Sequence, residues 1–330
     1  MRSAANAPSK LDRMGIGMGK KNYNEDWDAG LASPMSAVVP PEFGGLRLDQ
    51  ALVRLFPQYS RNRLQAWLKS GHITVEGERA IAKHPVSGGE HVNVRPPSAP
   101  ASVPSAQRMP LRIVHEDDAL IVIDKPAGLV VHPGAGQPDR TLLNALLAHA
   151  PTLAAVPRGG IVHRLDKDTS GLLVVAKTVE AQASLAKQLA ERTMRRVYLA
   201  LVQGDPPASG VIDAPLGRDV RARTRMAVSH RGKPARTAYR VLERFGRAAL
   251  VECRLETGRT HQIRVHFQHI RHPLLGDTVY RRGTRHLVTF PRQALHAAEL
   301  SLVHPTSGEP LTWRSPLPRD MKRLLDELRK

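Results

Sequence analysis

Residues 172–176 read Leu-Leu-Val-Val-Ala. Five apolar side chains in a row, bounded by a turn, mark a fully buried strand, and any fold this chain adopts must cover it. The run follows directly on His163-Arg164-Leu165-Asp166-Lys167-Asp168-Thr169-Ser170-Gly171, so a polar turn carrying an acid leads straight into the core. An aspartate in a turn, taken alone, is most often a cap or turn former. Three features pull Asp166 away from that reading. Arg164 and Lys167 flank it and favour the charged, nucleophilic form of its carboxylate. Thr169, Ser170 and Gly171 allow a tight, hydroxyl-rich turn with one residue free to take positive φ. The strand behind supplies rigidity, and one acid is displayed at the rim of a sheet.

The rest of the chain sorts into four segments. Residues 1–44 mix Gly, Pro, Ser and charge without periodicity and read as a disordered N-terminal extension. Residues 45–95 read as a small αβ domain. Leu48, Leu52 and Leu55 share a helical face; Ser60 is placed to cap a second helix that turns Leu64, Trp67 and Leu68 inward and ends before Gly71. His72-Ile73-Thr74-Val75 and His91-Val92-Asn93-Val94 read as strands around turns at Gly77 and Gly88-Gly89. Arg61, Arg63 and Lys69 lie outside the apolar stripe, where cations are ordinarily just solvated. Residues 96–110, with Pro96, Pro97, Pro100, Pro104 and Pro110 among Ser and Ala, read as a semi-rigid linker.

Residues 111–330 read as the second, larger domain. Two strands flank the acidic turn Glu116-Asp117-Asp118, helices are expected over 142–147 after Thr141 and over 179–191, and a strand over 196–202. Thr260 is placed to cap a helix on which Ile263, Phe267 and Ile270 share a face, ended by Pro273. Strands and helices interleave irregularly, with turns at Gly232-Lys233-Pro234 and Phe245-Gly246-Arg247, so the expected class is α+β with a mixed β-sheet.

Charge narrows the partners. Lys and Arg number 49 against 30 Asp and Glu, a net charge of +19 over 330 residues, which points to an anionic partner and to nucleic acid first. No run of about 18 apolar residues exists to span a membrane, and Met1-Arg2-Ser3-Ala4-Ala5 leads into no signal-type core, so the chain reads as soluble and cytoplasmic. Its single cysteine, Cys253, allows neither an intrachain disulfide nor a cysteine-rich zinc site. His115, His132, His163, His261 and His266 show no metal-like spacing and read mainly as structural or as supports behind the site, and there is no Walker loop and no serine elbow. The expected site holds neither cofactor nor metal.

Several motifs in order carry a resemblance. His163-Arg164-Leu165-Asp166 with Thr169-Ser170-Gly171, then Arg196-Val197-Tyr198, then Glu256-Thr257-Gly258-Arg259-Thr260-His261-Gln262-Ile263-Arg264-Val265-His266 resemble the RluA family of pseudouridine synthases. Lys125-Pro126-Ala127-Gly128, His132-Pro133-Gly134, His272-Pro273-Leu274-Leu275-Gly276-Asp277 and Ala294-Leu295-His296-Ala297 add to it. Residues 46–95 resemble the S4 RNA-binding module that some members carry. The resemblance implies a pseudouridine synthase fold and no cofactor. Its chemistry breaks the N-glycosidic bond of a uridine, turns the base and rejoins it through carbon. Asp166 is then the nucleophile, attacking sugar or base, Tyr198 lies against the uracil and assists proton removal, and Arg264 pairs with Asp166. Arg164 fills the space left by the flipped base, and Arg61, Arg63 and Lys69 become RNA contacts.

The basic run Arg218, Arg221, Arg223, Arg225, Arg231, Lys233 and Arg236 then reads as a clamp on RNA phosphates. Arg223-Thr224-Arg225-Met226-Ala227-Val228, with Gly232-Lys233-Pro234-Ala235, is most similar to the members that act on the helix 69 loop of 23S, large-subunit, ribosomal RNA. The implied partner is that RNA or the assembling large subunit, met by a monomer. Three readings stand beside this one: a synthase acting on other 23S uridines, a non-catalytic S4-containing ribosome-assembly factor, and a phosphatase in which Asp166-Lys167-Asp168-Thr169 is a magnesium-dependent paired-aspartate loop.

Overall fold

A computed structural model describes residues 34–57, 59, 61–96, 104–134, 136–222, 224–280 and 289–330. The chain divides into two compact units, Met1–Ala101 and Ser102–Lys330.

The first unit is a four-stranded antiparallel sheet backed by two helices. Strand β1 (Met35–Val38) pairs with β4 (His91–Val94), which pairs on its other side with β2 (Ile73–Val75), and β2 turns tightly into β3 (Glu78–Arg79). Helices α1 (Leu48–Leu55) and α2 (Arg61–Ser70) cover one face, where Leu48, Leu52, Leu64, Leu68, Ile73, Val92 and Val94 close a small core. β1 corrects the expectation of a disordered stretch through residue 44. Met-Ser-Ala-Val is too short and too mixed to announce itself, yet it completes the sheet by adding to the free edge of β4. The first 33 residues of that expectation, and the cap expected at Ser60, lie outside the described residues.

In the second unit the order along the main sheet is β5 (Ile113–Glu116), β6 (Leu120–Lys125), β7 (Ser170–Ala176), β14 (Leu295–Val303), β8 (Arg195–Gln203), β13 (Ala248–Leu255), β12 (Arg236–Arg244) and β9 (Ser209–Asp213). A ninth strand, β15 (Pro310–Arg314), pairs with the far half of β14. Among the described residues only β7 and β14 run parallel, through His296 opposite Ser170 and Ala297 opposite Gly171, so the sheet is mixed, as the irregular order of elements leads one to expect. A two-stranded hairpin, β10 (Leu216–Arg218) and β11 (Met226–Val228), stands apart.

The apolar run explains the layering. Every residue of β6 and β7 is buried, and alternation sends Leu173 and Val175 into one core while Leu172 and Val174 enter another. Helix α3 (Leu142–His149), started by the Thr141–Asn144 capping box, and α5 (Gln262–His269) pack on the first face; α4 (Val179–Ala190) packs on the second. Helix α6 (Arg319–Leu328) covers the β8–β13 part through Met321, Leu324 and Leu325.

Two local expectations change. Thr260 does not cap α5: the N-cap is His261, at φ +57°, and the Gln262 side chain accepts from the Arg259 amide instead. Of the linker expected over 96–110, residues 97–103 lie outside the described residues. Beyond them the Asn144 side chain donates to the Ser105 carbonyl at 2.8 Å and the Gln107 amide to the Asn144 carbonyl at 2.9 Å. The last part of that stretch is therefore bonded to α3.

Candidate active site

Asp166 sits in the turn that enters β7, and three constructions hold that turn. First, Lys125, fully buried at the end of β6, donates from Nζ to the carbonyls of Pro126, Leu129 and Lys167 at 2.8, 2.9 and 2.9 Å. Three acceptors match the three protons of an ammonium, while burial pulls the lysine down to about 7 against the attraction of Asp166 and Asp168. Second, Arg292 donates to the Asp168 carbonyl at 3.0 Å and is itself gripped by Asp320. Third, Gly171 takes φ +110°, and a Cβ there would lie 2.2 Å from the Ala297 carbonyl oxygen. The close approach of β7 to β14 at the root of the turn thus requires glycine.

The acid is met from α5. Arg264, only 5 % exposed, donates from one terminal nitrogen to Asp166 Oδ2 at 3.0 Å and grips Asp277 through its other two nitrogens at 2.6 and 3.0 Å. Asp277 is fully buried, and its Oδ1 also accepts the amides of Val279 and Tyr280. Burial opposes both charges, yet the bidentate pair outweighs it, raising the Arg264 pKa and lowering that of Asp277. The Asp166 carboxylate therefore has one oxygen tied to a fixed guanidinium. Its Oδ1 faces His261 Nε2 at 3.8 Å, beyond hydrogen-bond range.

Tyr198 lies on β8, 6 % exposed, and burial, with Asp166 adding to it, raises its phenol pKa. Arg164 is exposed two residues before Asp166. The structure thus brings Asp166 and Arg264 into contact and keeps Arg164 at the surface. His163 accepts the Val174 amide, and burial, with Arg196, pushes it down to about 3. On the β10–β11 hairpin and the segment after it, Arg218, Arg221, Arg231 and Lys233 are exposed, Arg225 is half-buried, and Arg236 pairs with Glu256 at 3.1 Å. Arg223 lies outside the described residues.

In the first unit, Arg61 is not a plain solvated cation. It donates to the buried Asp49 carboxylate at 2.7 Å, alongside Arg47 at 3.0 Å and Gln65 at 2.6 Å, while its own side chain stays 46 % exposed. Lys69 is exposed, and the Arg63 side chain lies outside what is described.

Three residues at the site were not singled out by sequence reasoning. Asp277 was visible only inside the motif Leu274-Leu275-Gly276-Asp277. Tyr280 follows three residues later: its hydroxyl accepts from the Met226 amide at 2.9 Å and meets His261 Nδ1 at 2.7 Å, while its ring lies 5.0 Å under the Arg264 guanidinium. His261, the left-handed N-cap, faces the acid. A histidine wedged between Thr260 and Gln262 in a motif-bearing loop was the available signal. Among the described residues no group of three His, Cys, Asp or Glu could hold a metal ion, and no helix is long and apolar enough to cross a membrane.

Comparison with known proteins adds an independent line. Residues 119–269 match the RNA pseudouridylate synthase family, and residues 46–92 match the S4 domain. The chain is 54 % identical over 322 residues to a ribosomal large subunit pseudouridine synthase D of Nitrosomonas europaea, covering 94 % of each chain. A protein of the same description from Pseudomonas aeruginosa is 50 % identical over 305 residues, 89 % of this chain and 95 % of that one. The solved structure of human RNA pseudouridylate synthase domain containing 4 superposes with a TM-score of 0.54 at 28 % identity, over 66 % of this chain and 93 % of that one.

Proposed function

The chain belongs to the RNA pseudouridylate synthase family, and from that premise we propose that it isomerises uridines in the helix 69 loop of large-subunit ribosomal RNA, with Asp166 as the covalent nucleophile. The observation that carries the reading is the Asp166–Arg264–Asp277 arrangement: a carboxylate with one oxygen fixed at 3.0 Å from a buried guanidinium and the other 3.8 Å from the His261 imidazole, beyond hydrogen-bond range. Family membership speaks against the paired-aspartate phosphatase. The similarity to large-subunit synthases along nearly the whole chain supports the ribosomal substrate, and the S4 match supports a second RNA-binding unit.

A stacked uridine is out of reach, so the base is flipped, and exposed Arg164 stacks into the vacated space. Oδ1 of Asp166 attacks while Arg264 holds Oδ2 and offsets the charge. The N-glycosidic bond breaks, the base turns beside Tyr198, and a bond forms between the sugar and the base carbon C5 as the bond from Asp166 to the sugar or base is broken, C5 giving up its proton and N1 taking one up. Tyr198, kept protonated by its burial, supplies a wall for the uracil and a hydroxyl through which the departing proton passes to solvent.

Pseudouridine mapping of large-subunit ribosomal RNA from cells with the wild-type gene, a deletion and Asp166→Asn tests both parts. Loss of the helix 69 pseudouridines in both mutants is expected. Retention with Asp166→Asn alone would remove the nucleophile assignment, and retention in the deletion would remove the target.

A further inference from the structure

Tyr280 lies outside the residues to which the proposed reaction gives a role, yet it touches His261, Arg264 and Asp277. Its hydroxyl joins the Met226 amide at 2.9 Å to His261 Nδ1 at 2.7 Å, its ring supports Arg264, and its own amide is held by Asp277. His261 takes a left-handed backbone at φ +57°, and its ring packs edge-on against that of Tyr280, with centroids 5.5 Å apart. The imidazole presents Nε2 to Oδ1 of Asp166 at 3.8 Å.

We propose that Tyr280 and His261 are positioning residues that keep Oδ1 of Asp166 free for attack: the tyrosine hydroxyl holds the imidazole neutral and at a fixed distance, so that only Oδ2 is tied down. This rests on Asp166 being the nucleophile. A neutral imidazole carries one proton, and the carboxylate oxygen opposite Nε2 draws it there, leaving Nδ1 to accept from Tyr280. The phenol is the right donor, since its burial raises its pKa and keeps its proton on. The charged groups facing His261 are Asp166 and Arg164 from the acid's turn, Arg264 from α5, and Asp277. Burial, helped by Arg264 and Arg164, lowers the histidine's pKa despite the two carboxylates. A protonated imidazole would clamp Oδ1 as Arg264 clamps Oδ2, and both oxygens of the nucleophile would be occupied.

The test is single-turnover pseudouridine formation on a large-subunit ribosomal RNA fragment, at saturating enzyme, by wild type, Tyr280→Phe, His261→Gln, the double variant and Asp166→Asn. Rates are followed across the histidine range, about pH 5 to 8. Tyr280→Phe keeps the ring and deletes one hydrogen bond to the neutral imidazole, so the rate near neutral pH falls about fivefold, RNA affinity is unchanged, and the acid limb moves up by about half to one pH unit. His261→Gln loses that limb, and adding Tyr280→Phe to it changes nothing more. A wild-type rate and pH profile for Tyr280→Phe, or a further full loss in the double variant, overturns the proposal while leaving the nucleophile in place. Undiminished turnover by Asp166→Asn overturns the reading on which both rest.

Discussion

Arg264 spans two carboxylates at once, which a point charge on a flexible stem cannot do. Arg264→Lys therefore keeps a cation near Asp277 but releases Asp166 or leaves Asp277 half-paired. At saturating RNA the turnover rate is expected to fall about a hundredfold, the cost of misplacing a reacting group by an ångström or so. Because the Asp277 pair is buried, the unfolding free energy should also drop by about 3 kcal/mol. Single-turnover kinetics beside urea denaturation separates the two; wild-type turnover with lowered stability would show that Arg264 holds the fold and not the nucleophile. The Asp166–Arg264 contact was legible in the sequence because each residue stands inside a dense local motif. Asp277 and Tyr280 were not: their meaning comes from a contact across 13 residues to Arg264 and one across 54 residues to Met226, and a lone Asp or Tyr in a loop carries no sign of either.

Among the elements, what was legible follows burial. β7 and β6 could be read from unbroken apolar runs, and α3 from its apolar stretch after Thr141, because those patterns are imposed by a core on both sides. β1 and the start of α5 could not. The first is held by pairing to β4 and the second by the Gln262 side chain, and neither depends on a periodic apolar face. The α1–α2 corner shows the same limit: Arg61 looks like a surface cation until Asp49 is placed beneath it. Burial opposes the Asp49 charge, but hydrogen bonds from Arg61, Arg47 and Gln65 outweigh it and lower its pKa from 3.8 to about 2. The folded value is the depressed one, so this stabilisation is complete above pH 3.8 and is lost as pH falls through about 2. Its worth at neutral pH is about 2 kcal/mol. Asp49→Asn should lower the stability of the first unit by roughly that amount and remove the acid transition from it. Thermal melts of wild type and variant at neutral pH and near pH 2 read this directly, and equal melting at both would place the stability elsewhere. It also follows that a loss of RNA binding in Arg61→Ala mixes a lost contact with a buried carboxylate left to Arg47 and Gln65 alone; Asp49→Asn separates them.

For the whole molecule, a net charge of +19 predicts that RNA affinity is steeply salt-dependent, since each neutralised phosphate releases counterions. The charge is not spread evenly in its consequences. Many arginines pair with the protein's own carboxylates, as Arg240 does with Glu252, Arg314 with Glu299 and Arg329 with Glu243, and Arg221, Arg231 and Lys233 are exposed in and just after the β10–β11 hairpin. If that segment grips phosphates, replacing these three by glutamine should flatten the plot of log affinity against log salt by about 2, at roughly 0.7 per contact for single-stranded RNA. Turnover at saturating RNA should stay unchanged, because none of the three belongs to the Asp166–Arg264–Asp277 group. The hairpin has a second connection, however, through the Met226 amide to Tyr280. A variant with the wild-type salt slope and slower turnover at saturation would mean that the hairpin serves the chemistry by bracing Tyr280, and that the phosphates are gripped elsewhere.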